Sequence, residues 1–190
     1  MANAAEIEAG RAGAGRYRGP AQALHWLTAL LILSTIPAGV IMVEEGTSRP
    51  VQDALYLWHK NVGVVIFLLV VARLIYRAFH PAPPLPGRVP PLQRRIAYAT
   101  HWLLYLLVLV MTISGYIRVK AGGFPIEMLD ALGLPSLVPR SDDLAETAQN
   151  VHLTARYAIV VLVLLHIGAA LYHLLVRKDG VFQRMLPGRR

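Results

Sequence analysis

The chain has 190 residues, 55% of them hydrophobic, and its mean hydropathy is positive, which excludes an ordinary soluble domain of this length and puts the membrane class first. Nineteen Lys and Arg against eleven Asp and Glu leave a formal charge of +8, but the basic residues gather at the edges of apolar segments, where they orient helices and meet anionic lipid rather than nucleic acid. There is no cysteine, so disulfides and thiolate-held metal centres are excluded.

In chain order, residues 1–16 are rich in Ala and Gly and are expected to form a flexible tail ahead of a single domain over residues 17–187. Gly19 and Pro20 introduce the first apolar stretch, residues 23–43. It is too long for a signal-peptide core and no small-x-small cleavage site follows, so it is expected to remain in the mature protein. Further apolar stretches cover residues 57–78, 98–117 and 153–176, each near the ~20 residues that cross a ~30 Å hydrocarbon core. Hydrocarbon offers no water to backbone amides and the runs lack barrel-strand alternation, so each must be a helix. Helices are predicted over about 21–43, 54–78, 92–119 and 148–177. Between the second and third, HPAPPLPGRVPP (His80 to Pro91) carries too much proline to be helical. Between the third and fourth, FPIEMLDALGL (Phe124 to Leu134) suits a short helix lying at the membrane surface. The expected fold class is all-α, an integral membrane four-helix bundle.

Charge sets its orientation. The N-terminal tail, the proline-rich connection with its flanks and the C-terminal tail hold Arg11, Arg16, Arg18, Arg73, Arg77, Arg88, Arg94, Arg95, Arg177, Lys178, Arg184, Arg189 and Arg190. The other two connections hold Glu44, Glu45, Asp53, Glu127, Asp130, Asp142, Asp143 and Glu146. By the positive-inside rule both termini are expected to face the cytoplasm, which in a bacterium makes this an inner-membrane protein.

Six of the seven histidines, His25, His59, His101, His152, His166 and His173, lie within or at the ends of the apolar spans. An imidazole in hydrocarbon is costly unless it faces the bundle interior with a partner, and six in one small bundle need a common cause. His152 and His166 are fourteen residues apart, which returns them to nearly one helix face about 21 Å apart along the axis, so one helix can serve two cofactors. Topology puts His59 at the depth of His152. At the inner level His25, His101, His166 and His173 leave several pairings open. Facing neutral imidazoles suit the two axial positions of a haem iron, and the lack of cysteine makes any such haem non-covalent: two haem b groups are implied. Gly63, one turn after His59, would let a flat porphyrin approach the backbone, the alternative being ordinary small-residue helix packing. Lys60, Arg73 and Arg156 are placed to meet haem propionates or to snorkel towards headgroups.

These residues fall in the stretches LHW (Leu24 to Trp26), WHKNVG (Trp58 to Gly63), VVARLIYR (ending at Arg77), HPAPP, THWLLYLL (from Thr100), NVH (ending at His152), LHIGAALYH (from Leu165) and RML before Pro187. Together they resemble the bacterial cytochrome b561 family of four-helix, two-haem membrane cytochromes over Tyr17 to Pro187. The resemblance implies that His25 pairs with His166 and His59 with His152 as axial ligands, and that His101 and His173 are second-shell or quinone-proximal residues. It further implies exchange of electrons with ubiquinone or ubiquinol, with superoxide or another periplasmic donor as the electron source.

Three functions follow as expectations. The first is a di-haem electron carrier between a donor and the ubiquinone pool, of the superoxide:ubiquinone oxidoreductase type. The second is the membrane anchor and electron relay of a larger dehydrogenase or hydrogenase. The third, which bulky apolar helices leave little room for, is a histidine-lined proton or metal transporter.

Overall fold

The computed structural model describes residues 15–87 and 89–187. Residues 1–14 of the expected tail, Arg88 and the last three residues lie outside the described residues, and Arg11, Arg189 and Arg190 with them. Four helices are long and apolar enough to cross a membrane: α1 (Gly19–Ile41), α2 (Arg49–Phe79), α3 (Pro91–Ala121) and, after the short α4 (Glu127–Ala131), α5 (Asp142–Tyr172). No strand occurs among the described residues.

The helix starts reflect local chemistry more than hydropathy. Pro20, Pro50 and Pro91 each sit in the first turn, where a missing N–H costs nothing. The helix expected from about residue 148 begins at Asp142, because Ser141 accepts a hydrogen bond from the Leu144 amide and Asp142 and Asp143 complement the helix dipole. Capping thus extends α5 by six residues on the polar side of its apolar run. The surface helix expected within residues 124–134 is the five-residue α4, and it stops at Gly133, whose φ of +66° few other residues would tolerate.

α1 packs on α2, α3 packs most closely on α5, and α2 joins the two pairs through α3. Val62, Ile66 and Val70 of α2 meet Val108 of α3 and Ile159 of α5 in a buried apolar centre. Outward-facing residues such as Leu30, Leu68 and Leu164 are more than half exposed, the arrangement of a bundle whose solvent is lipid.

The end of the bundle that carries both ends of the described chain, called the inner end after the expected orientation, is tied around Arg184. Arg184 donates through Nε to the Gly15 carbonyl (3.1 Å) and through Nη2 to the Pro83 carbonyl (2.7 Å). Its own carbonyl accepts from Gln22 Nε2 (3.1 Å), and the neighbouring Met185 carbonyl accepts from Trp26 Nε1 (2.6 Å). The motif residues of α1, the proline-rich connection and the C-terminal turn therefore meet at one place.

Candidate haem-binding site

Two pairs of imidazoles face one another across the bundle. His59 of α2 and His152 of α5 have ring centres 6.2 Å apart with planes at 75°, and His25 of α1 and His166 of α5 are 6.3 Å apart at 71°. An imidazole nitrogen ligates a transition metal at about 2 Å and its ring centre lies roughly 1 Å behind that nitrogen, so two axial imidazoles place their ring centres about 6 Å apart. Both pairs fit that separation. Ile159 lies seven residues from each α5 histidine, and the apolar centre keeps water from the space between the two levels.

The outer pair is held from behind. His59 Nδ1 lies 3.1 Å from the carbonyl of Thr35, and His152 Nδ1 lies 2.9 Å from the carbonyl of Met111. A carbonyl only accepts, so each Nδ1 carries the proton and each Nε2 keeps the lone pair a metal needs. Pro37, two residues beyond Thr35, removes the N–H that the Leu33 carbonyl would accept in the same stretch of α1. Two glycines back the rings: a Cβ on Gly39 would stand 2.8 Å from His59 Cε1, and one on Gly115 would stand 3.2 Å from His152 Cε1. On the open side, a Cβ on Gly63 would meet no heavy atom within 4 Å. These glycines, spaces and paired imidazoles fit a flat, axially ligated macrocycle.

The inner pair has different neighbours. Arg73 Nη2 lies 3.2 Å from His25 Nδ1, and the His101 ring is edge-on to His166 at 5.5 Å. That spacing is shorter than two axial imidazoles need, whereas His25 meets it. Arg73 and Arg77 lie over the ring of Tyr105, and Arg77 also over Trp102. His173, two turns beyond His166, opens a π-helical turn (His173–Arg177) and pairs with the buried Asp179 carboxylate at 2.7 Å.

The remaining cations are engaged elsewhere. Lys60 binds Glu127 (2.6 Å) and the Pro125 carbonyl (2.8 Å), fastening α4 over the outer end, and Arg156 bonds to the Tyr157 hydroxyl (2.8 Å). Sequence reasoning missed Thr35, Gly39, Met111, Ser114 and Gly115. Two of these act through backbone carbonyls that no side-chain pattern marks, and the glycines look like any small residues in a membrane helix until the facing ring is located.

The profile of the prokaryotic cytochrome b561 family matches residues 16–188, and these paired imidazoles fall within it. The chain belongs to that family. Its relatives include cytochrome b561 homolog 2 of Escherichia coli K12, 31% identical over 90% of this chain and 91% of the relative. The probable superoxide oxidase CybB of Yersinia pestis is 30% identical over 88% and 93%, and cytochrome b561 homolog 1 of E. coli K12 is 28% identical over 88% and 94%. This b561 cytochrome is therefore a multi-pass protein of the bacterial inner membrane that binds b-type haem and transfers electrons. Among the described residues no three His, Cys, Asp or Glu converge as a metal cage, and the histidine rings lie in facing pairs.

Proposed function

We propose that this cytochrome holds two haems, the outer on His59 and His152 and the inner on His25 and His166, and passes electrons from an outer-face donor to ubiquinone. The observation that carries the reading is the repetition of one imidazole spacing at two depths. Haem iron, when bound, supplies a one-electron ferric/ferrous couple. The chain's residues do the rest: the Nε2 lone pairs of His59 and His152 would hold the outer iron, His25 and His166 face each other to hold the inner, and the apolar centre excludes water.

A relative is named a probable superoxide oxidase, which supports superoxide as the donor. Two superoxide anions would leave as two dioxygen molecules, and the two electrons with two protons would convert quinone to quinol. The His173–Asp179 pair at the inner end, a part-buried imidazole 2.7 Å from a carboxylate, supports quinone reduction there as a hydrogen-bonding partner for a quinone oxygen. Arg73, beside His25, is placed to meet an inner-haem propionate. His101 is read as supporting the His166 ring.

Detergent-purified protein should give a pyridine haemochrome count of two and low-spin b spectra that superoxide and ubiquinol each reduce. His59→Ala or His152→Ala should remove about one haem and spare the other. No haem, or loss of both from either variant, would overturn the assignment.

A further inference from the structure

The two imidazole pairs differ in what stands behind each ring. His152 Nδ1–H is shared between the Met111 carbonyl at 2.9 Å and the Ser114 hydroxyl at 3.2 Å. Ser114 donates its own proton to the Val110 carbonyl (2.6 Å), so a lone pair faces His152, and at 5% exposure no water competes for it. His59 has the Thr35 carbonyl in the same role. Acceptors at Nδ1 make Nε2 a stronger donor, which favours the ferric state of a bound iron.

The inner pair lacks this. Among the described residues neither His25 nor His166 has a carbonyl or hydroxyl partner, and the Arg73 guanidinium 3.2 Å from His25 Nδ1 offers no acceptor. Charge does not make the outer level the lower one, since Arg118 and Arg156 stand near the outer pair and Arg73 alone near the inner. Hydrogen-bond polarity does.

We propose that Ser114, with the Thr35 and Met111 carbonyls, holds the outer haem iron at a lower midpoint potential than the inner, so that an electron accepted at the outer end moves inward. The transfer would balance as one electron lost by a bound outer iron and gained by a bound inner iron. The inference rests on the two-haem reading, and Ser114 acts through His152 as a positioning residue.

An optical redox titration of the detergent-purified holoprotein tests it. Wild type should reduce in two one-electron steps, and His152→Ala should lose the lower one. Ser114→Ala should raise the lower midpoint and leave the upper unmoved, while Ser114→Thr, which keeps the hydroxyl, returns it. Arg73→Gln should lower only the upper midpoint. Survival of the lower step in His152→Ala overturns the inference, as does an unmoved lower step in a Ser114→Ala protein that holds two haems. Loss of the outer haem from Ser114→Ala would make Ser114 a packing residue and end its tuning role. A wild-type count other than two haems overturns the underlying reading instead.

Discussion

The His59 ring is fixed from two directions, by the Thr35 carbonyl at 3.1 Å and by the bare backbone of Gly39. A methyl at position 39 would meet the ring at 2.8 Å, a distance real Cβ atoms do not show, so the imidazole must turn off the carbonyl or the helix must move. At Gly115 the contact with His152 would be 3.2 Å, which a few tenths of an ångström of adjustment relieves. Gly39→Ala should therefore cost about 1–3 kcal/mol and part of the outer haem, and Gly115→Ala less of both, by thermal melting and haem count. Equal losses from the two would mean that the glycines do not discriminate as the distances require.

At the scale of elements, α4 and the outer end of α2 are joined through one carboxylate. Burial alone would raise the Glu127 pKa, but bonds from Lys60 and Asn61 outweigh it and hold the group below its ordinary value of 4.5. A depressed carboxylate stabilises fully above its unfolded pKa and loses that contribution as pH falls through the lowered folded value. Amide exchange over residues 124–134 should thus be slow at neutral pH and quicken only in acid below the ordinary glutamate range. Glu127→Gln should exchange quickly at every pH; a variant that keeps the wild-type acid profile would show that Glu127 is not the latch. The inner clasp makes a parallel case. Arg184→Leu leaves the Gly15 and Pro83 carbonyls without their donor and should lower stability by about 1–3 kcal/mol, read as a fall in Tm.

For the whole molecule, the basic inner end and acidic outer connections predict that both termini lie in the cytoplasm. A C-terminal green fluorescent protein fusion should fluoresce and a C-terminal alkaline phosphatase fusion should be inactive; the reverse pattern would invert the bundle and the direction of electron flow with it. Four spans, their lengths and the wealth of intramembrane histidines were legible in the sequence because hydrocarbon imposes length and forbids unpaired polar groups, constraints that act on each segment separately. The fourteen-residue interval on α5 was legible for the same reason, being a property of one helix. Residue geometry left the inner partner of His166 open among His25, His101 and His173, and only the family resemblance named His25. Packing sets the ring separations from His166, 6.3 Å for His25 and 5.5 Å for His101. The carbonyls of Thr35 and Met111, the glycines behind the rings and the Ser114 hydroxyl were hidden likewise, because each takes its meaning from a side chain on another helix. Sequence alone determined the class, the spans and the set of histidines; tertiary structure decided which of them face each other and what stands behind each ring, because contacts between helices depend on rotation and register that no single segment encodes.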